Sequence, residues 1–206
     1  MSDDNRFRVS QYMYRKCLGK RNKMKKIGVF LAEGCEEIEA LTVVDVVRRA
    51  GIEVAMISVS GEKQVRGAHD ITFLTDIPAE FMDYDMLDGI VLPGGMPGTL
   101  NLGANETVQK IICEFASQGK MVAAICAAPS VLGEAGLLEG KKATCYPGFE
   151  EKLLGAFPCE DEVAVDGNMI TSRGMGTAIP FALEIVKYFA GEEASEELRK
   201  GIIYGL

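Results

Sequence analysis

The chain of 206 residues contains no tryptophan and only one histidine, His69. Cysteine hydrolases and class I glutaminases need an imidazole to take the proton of the nucleophile, and this imidazole usually follows the cysteine in the chain. No histidine follows Cys126, the cysteine that ends a buried apolar run. His69 could serve as the base only if folding brought it close to Cys126. The alternative interpretation is that His69 lies on the surface or at an interface and takes no part in catalysis.

The six cysteines form no C-x-x-C pair, and no secretory signal precedes them. We therefore expect reduced thiols in a cytoplasmic protein. Thiolates spread in this way beside one histidine do not make a zinc ligand set, so no metal is predicted. No apolar stretch is long enough to cross a membrane, which predicts no membrane association.

Positive charge is concentrated at the start of the chain. Residues 1–26 contain nine Lys or Arg and two acids, whereas the remaining residues contain 13 Lys or Arg and 28 Asp or Glu. A basic arm can indicate nucleic acid or an anionic surface, but an acidic body argues against nucleic acid. Met24 directly precedes the first strand and would make a natural start. We expect residues 1–24 to be a basic extension and residues 25–206 to be one domain.

Buried β runs alternate with helical patterns along the chain. This alternation predicts an α/β fold with a mainly parallel sheet covered on both faces. The main predicted strands are Ile27–Leu31, Val54–Val59, Gly89–Leu92 and Met121–Ile125, with shorter strands around Val65 and at 71–74, 142–144, 163–165 and 169–172. The predicted helices are Ile38–Ala50, Glu106–Ser117 and Thr177–Phe189.

Three predicted strands end in segments that suit a site. In open α/β sheets the site lies beyond the carboxyl ends of the central strands. The first strand is followed by the carboxylates of residues 33–39, and the third ends in Leu92-Pro93-Gly94-Gly95, whose glycines let backbone N–H groups approach an anion. The fourth ends at Cys126.

Cys126 lies where a β run breaks into small residues that open a helix. A cysteine on such a turn points its sulfur at the positive end of the helix, which favours the thiolate. The alternative is a small buried hydrophobic residue at a strand end.

Four segments carry a resemblance to a known family: residues 33–54 (EGCEEIEALTVVDVVRRAGIEV), 89–102 (GIVLPGGMPGTLNL), 123–132 (AAICAAPSVL) and 166–186 (DGNMITSRGMGTAIPFALEIV). With them the chain resembles the ThiJ/PfpI superfamily over residues 25–190. The resemblance is closest to the DJ-one branch, which contains the Parkinson's-disease-associated protein deglycase.

The resemblance implies a flavodoxin-like three-layer sandwich with a nucleophile elbow, assembled as a homodimer without metal or organic cofactor. It also implies roles for individual residues. Cys126 matches the reactive cysteine and Glu39 the acidic residue beside it, while Gly94, Gly95 and Ala127 match the oxyanion and substrate pocket. If Glu39 keeps a proton and donates it to the sulfur, the pKa of Cys126 should fall below its ordinary value of about 8.5. The alternative for Glu39 is a carboxylate favoured by the helix dipole.

Some positions depart from the family pattern. Ala127 follows the nucleophile where other branches place histidine. Tyr146, which we assign to the substrate pocket as a hydrogen-bond donor, stands near the site where the animal branch has histidine. His69 falls where that branch has an interface arginine, and Met175 where it has proline.

The resemblance implies that helix Ile38–Ala50, which carries Arg49, packs across a two-fold axis. We expect His69 of one subunit to lie near Cys126 of the other.

Three functions remain open from the sequence. The first is a glyoxalase or protein deglycase that acts on methylglyoxal, glyoxal or their protein adducts through a cysteine hemithioacetal. The second is a sensor of oxidation or a redox-regulated chaperone, because an accessible thiolate is readily oxidised. The third is a binding protein that keeps the elbow as architecture.

Overall fold

The computed structural model describes residues 24–205. The predicted basic extension, residues 1–24, lies outside the described residues except for Met24. The central sheet has seven strands: β1 (Lys26–Leu31), β2 (Glu53–Ser58), β5 (Ile77–Pro78), β6 (Gly89–Leu92), β7 (Met121–Ile125), β10 (Val163–Asp166) and β11 (Met169–Ser172). Two small pairs lie outside it: β3 (Gln64–Arg66) with β4 (Thr72–Leu74), and β8 (Lys142–Ala143) with β9 (Phe157–Pro158).

The strand order is β10-β11-β7-β6-β1-β2-β5, and every neighbouring pair is parallel except β10 with β11. Strands β6 and β7 are buried along their whole length, as expected of central parallel strands covered on both faces. The predicted mainly parallel sheet is confirmed. Because β1, β6, β7 and β11 run in one direction, their carboxyl ends meet at the same edge.

Six α-helices cover the sheet within residues 24–205: α1 (Glu37–Arg49), α2 (Gly98–Ala104), α3 (Glu106–Ser117), α4 (Pro129–Glu134), α5 (Ala178–Ala190) and α6 (Glu192–Gly201). One apolar core joins one face of the sheet to α1, α5 and α6, and a second joins the other face to α2, α3 and α4. The arrangement is the predicted three-layer sandwich.

The periodicity of the sequence did not predict α2, α6, β5 or β9. Helix α2 has only seven residues and contains two glycines, so it lacks a clear apolar stripe. Helix α6 buries only Ser195 and Leu198 and is otherwise polar. No helix of residues 24–205 combines the length and the apolar character that crossing a membrane requires.

Candidate active site

The turn after β7 holds Cys126 in a left-handed conformation, with φ at 66°. This conformation is uncommon for a residue other than glycine and is typical of a nucleophile elbow. Hydrogen bonds fix the turn on both sides. The N–H of Cys126 donates to the carbonyl of Ser172 at 3.0 Å, and the N–H of Tyr146 donates to the carbonyl of Cys126 at 2.8 Å. The predicted elbow is therefore present.

Close packing at the elbow requires glycine on the neighbouring strand end. A Cβ atom on Gly94 would lie 2.5 Å from Cβ of Cys126 and 2.8 Å from Oε2 of Glu39. Gly95 has a φ of 87°, and a Cβ there would lie 2.3 Å from the backbone nitrogen of Glu36. The Leu92-Pro93-Gly94-Gly95 segment thus brings its backbone against the nucleophile, which no larger residues would allow.

Two backbone N–H groups face the sulfur of Cys126. They belong to Gly95 and Ala127, two of the three positions that the resemblance assigned to the oxyanion and substrate pocket, and both lower the pKa of the thiol. Cys126 itself is partly exposed. The site combines a partly exposed cysteine with preorganised donors beside its sulfur.

Glu39 reaches the same place from the first turn of α1 and is only 1% exposed. Its Oε2 accepts a hydrogen bond from the N–H of Gly94 at 2.8 Å, while Oε1 has no hydrogen-bond partner among the described residues. Burial raises the pKa of Glu39 to about 7, opposed by the Gly94 N–H and by the Cys126 thiol. Glu39 can therefore exchange a proton near neutral pH, which a carboxylate that only caps a helix could not.

The expectation of a low pKa for Cys126 was wrong. Burial, followed by the charge of Glu39 and its hydrogen bond with the thiol, raises the pKa of Cys126 to about 12. These causes outweigh the N–H groups of Ala127 and Gly95. An ionised Glu39 disfavours a second negative charge beside it, so the thiol keeps its proton while Glu39 is a carboxylate.

Tyr146 and Gly174 form the side of the site next to Glu39. The ring carbons Cδ2 and Cε2 of Tyr146 lie 3.3 and 3.7 Å from the position of a Cβ on Gly174, and Oε1 of Glu39 lies 3.9 Å from it. Met175, which follows Gly174, is exposed. Gly174 was not predicted as a site residue. The available signal was its position after β11, the strand that pairs with β7.

His69 contacts a different carboxylate of α1, that of Glu37. Its Nδ1 is 2.9 Å from Oε2 of Glu37, and its backbone N–H donates to Oε1 of Glu37 at 2.7 Å. The ring is mostly exposed, which agrees with a surface or interface histidine. Arg49 forms an ion pair with Asp45, with Nε and Oδ2 2.6 Å apart. Within one subunit, these contacts give neither His69 nor Arg49 a place beside Cys126.

One group of candidate metal ligands occurs among residues 24–205. The donor atoms of Glu36, Glu37 and His69 lie within 4.8 Å of one another. Oε2 of Glu37 lies 2.9 Å from Nδ1 of His69, Oε1 of Glu37 accepts from the backbone N–H of His69, and Glu36 accepts from the N–H of Glu39. Each of the three side chains thus already has a hydrogen-bond partner.

Comparison with known proteins identifies the family. The model of the DJ-1/PfpI family matches residues 25–188. Protein dj-1beta of Drosophila melanogaster is 40% identical over 177 residues, which are 85% of this chain and 95% of its own length. A protein of Pyrococcus abyssi named as a deglycase is 33% identical, over 79% of this chain and 98% of its own.

The fold comparison agrees. A structure titled "Toxoplasma gondii DJ-1, oxidized" superposes with a TM-score of 0.85 at 33% identity, covering 88% of this chain and all of its own. The matched region contains the elbow, the Gly94–Gly95 segment and Glu39. The chain belongs to the DJ-1/PfpI family.

Proposed function

We propose that this protein is a cofactor-independent glyoxalase or protein deglycase in which Cys126 is the nucleophile and Glu39 moves the proton. The observation that carries the proposal is the convergence of three groups on one sulfur. The thiol of Cys126 faces the N–H groups of Gly95 and Ala127 and the carboxyl group of Glu39. Chemistry that adds a thiol to a carbonyl needs a proton acceptor and donors for the developing oxyanion, and this site offers both.

In the first step the sulfur of Cys126 adds to the aldehyde carbon of methylglyoxal. The electron pair of the C=O bond moves to oxygen, where the N–H groups of Gly95 and Ala127 stabilise the charge. The thiol proton passes to the carboxylate of Glu39 and then to the new oxyanion, which gives a hemithioacetal. A thiol with a raised pKa thus becomes a nucleophile only as its proton leaves.

In the second step Glu39 takes the proton from the former aldehyde carbon, the C–H electron pair forms a C=C bond, and the ketone oxygen takes a proton from water, which gives an enediol. Glu39 then returns its proton to the former ketone carbon while the hydroxyl group on the former aldehyde carbon gives its proton to the hydroxide left by that water, and the thioester of a 2-hydroxy acid forms. The aldehyde carbon is oxidised and the ketone carbon is reduced, so no external oxidant or reductant is needed. Water attacks the thioester, the C–S bond breaks, and lactate and the free thiol are released. Adducts of methylglyoxal with Cys, Lys or Arg would enter at the same hemithioacetal once the carbonyl is freed.

Turnover of methylglyoxal by the purified protein tests the proposal. We expect production of lactate by the native chain and none by Cys126→Ser. Cys113→Ser is the matched control, because Cys113 is an exposed thiol on α3. Equal activity in Cys126→Ser would contradict the assignment of the nucleophile, and the absence of lactate from every variant would contradict the activity.

We also propose that the protein assembles as a homodimer through α1. An apolar groove is lined by Ile38 and Leu41 of α1, with Ile71, Ile179 and Ile202 from other elements and with Asp45 and Arg49 at its polar margin. A second copy related by a two-fold axis would cover this groove and bring one surface against itself. Light scattering should give the mass of a dimer, and Leu41→Glu should give a monomer. A monomeric native protein would contradict this proposal.

A sensor of oxidation is the second candidate function. The observation that favours it is a partly exposed Cys126 beside two N–H donors, which would stabilise a sulfinate, and beside Glu39, which would take the thiol proton as the sulfur reacts. Two equivalents of peroxide would convert the thiol to the sulfinic acid and release two molecules of water. Peptide mass spectrometry after mild oxidation should find two added oxygen atoms on Cys126 first. First oxidation of Cys113, the exposed thiol, would contradict this role.

A further inference from the structure

Tyr146 is held beside the nucleophile, although the proposed steps give its ring no task. Its N–H donates to the carbonyl of Cys126 at 2.8 Å, and its carbonyl accepts from the N–H of Phe149 at 3.1 Å. The ring packs against Gly174, with two ring carbons within 3.7 Å of the Cβ position there. The backbone of Tyr146 is therefore held by the turn that presents Cys126, and its ring lies against Gly174.

Half of the surface of Tyr146 is exposed. Two further exposed apolar residues, Met96 and Met175, directly follow Gly95 and Gly174 in the chain. A single exposed apolar side chain needs no explanation, but an exposed aromatic ring beside a reactive cysteine offers an apolar ligand a surface to pack on. Thioether and aromatic side chains also adapt well to a flat ring.

The charged groups of the site also bear on which substrates it favours. The segment that opens α1 contributes two buried carboxyl groups near the elbow: Glu39, which lies beside the thiol, and Glu36, whose backbone nitrogen lies against Gly95. An anionic substrate would approach these carboxylates unfavourably, because like charges repel strongly in a buried setting. The surroundings of Cys126 therefore favour an uncharged substrate.

We propose that Tyr146 determines the substrate class, and that the preferred substrates are uncharged carbonyl compounds whose substituent is an apolar ring, rather than glyoxal or an anionic oxoacid. This inference rests on the proposed function in taking the substrate to be a carbonyl compound that reaches Cys126. The ring of the substituent would pack on the exposed face of Tyr146 while the aldehyde carbon contacts the sulfur.

A matched pair of alkylating reagents tests the recognition without any turnover. Iodoacetamide and iodoacetanilide form the same S–C bond and release the same iodide, but only the second carries a phenyl ring. Peptide mass spectrometry gives the rate for each cysteine, with Cys113 as the reference thiol on the same chain. We expect the preference for iodoacetanilide at Cys126 to exceed that at Cys113 by about tenfold, the scale of one aromatic contact.

Three variants sharpen this test. Tyr146→Ser should remove the preference, and Tyr146→Phe should keep it, because the ring and not the hydroxyl group makes the contact. Phe81→Ser is the control, since Phe81 is an aromatic residue that is 70% exposed and follows β5 at the far edge of the sheet. An equal preference at Cys126 and Cys113 in the native chain would overturn the inference, as would a loss in Tyr146→Phe.

The turnover of phenylglyoxal, methylglyoxal and glyoxylate separates this inference from the proposed function. We expect the ratio of kcat/KM for phenylglyoxal over methylglyoxal to fall about tenfold in Tyr146→Ser, with glyoxylate the poorest substrate. A ratio independent of Tyr146 would overturn the inference and leave the function in place. No turnover of any compound, together with a Tyr146-dependent alkylation ratio, would overturn the function and leave the apolar subsite in place.

Discussion

Glu37 and Glu39 belong to the same first turn of α1 and are both almost completely buried, yet their pKa values are shifted in opposite directions. Burial raises the pKa of Glu39 to about 7 because only one of its oxygens has a hydrogen-bond partner among the described residues. Burial acts on Glu37 as well, but hydrogen bonds from the side chain and backbone of His69 outweigh it and lower the pKa of that carboxyl. Burial alone therefore does not decide the direction in which the pKa of a carboxyl group shifts. The hydrogen-bond donors around the group decide it.

The difference separates two regions with different tasks. Around Glu39 the protein leaves a buried carboxyl group incompletely satisfied next to a thiol, which is unfavourable for stability and useful for proton transfer. Around Glu37 it pairs the carboxyl group and thereby attaches the loop between β3 and β4 to the start of α1. Matched substitutions at the two positions can test this comparison.

The largest expected effect is on turnover. Glu39→Gln keeps the shape of the side chain but cannot exchange a proton, so it should lower kcat/KM for methylglyoxal by about 10²-fold or more. Glu37→Gln is the control in the same helical turn and should change kcat/KM less than about threefold, because Glu37 is not beside the thiol. Similar losses in both variants would mean that Glu39 acts only through the fold.

Glu39→Gln should stabilise the folded protein, although it lowers turnover. The pKa of Glu39 in the folded protein lies above its ordinary value of 4.5, so ionisation destabilises the native state as pH rises from about 4.5 through about 7. Glu39→Gln should increase the free energy of unfolding by about 3 kcal/mol at pH 8 and by about 1 kcal/mol less at pH 6. Urea unfolding at both pH values measures this, and a destabilised Glu39→Gln would contradict it.

The next largest effect that we expect is a tenfold change of kcat/KM with pH. Because the carboxylate form of Glu39 accepts the thiol proton, activity should be lost as pH falls through about 7. We expect kcat/KM to be about tenfold lower at pH 6 than at pH 8. Glu37→Gln should leave this loss of activity between pH 8 and pH 6 unchanged, because the pKa of Glu37 is lowered and lies below that pH range. A profile that is flat between pH 6 and 8 would exclude Glu39 as the titrating group.

The smallest expected effect concerns His69. Its pair with Glu37 raises the pKa of the imidazole, so the charged pair stabilises the loop below that pKa and is lost as pH rises through it. His69→Ala should increase amide exchange in residues 67–71, with a larger difference from the native chain at pH 6 than at pH 8. An equal difference at both pH values would mean that the ring stabilises the loop by packing rather than by charge.

Much of the fold could be predicted because its signals are local. The buried runs of β1, β6 and β7 and the apolar stripes of α1, α3 and α5 are each contained in a window of about a dozen residues. The glycines at 94 and 95 and the small residues after Cys126 also identify their turns locally. Helix α2 was missed because it is too short for its apolar period to be read.

The sequence by itself therefore determined the parallel sheet and the elbow at Cys126, and its resemblance to a family pointed to Glu39, Gly95 and Ala127 but not to Gly174. Only the tertiary structure decided their chemistry. Glu39 and the Gly94 N–H are separated by 55 residues, and Glu37 and His69 by 32. Burial and donors that come from such distances set the direction of each pKa, including the raised pKa of Cys126, and they place Tyr146 against Gly174. Local patterns specify backbone conformation, whereas the electrostatics of a site depends on which distant groups the fold brings into contact.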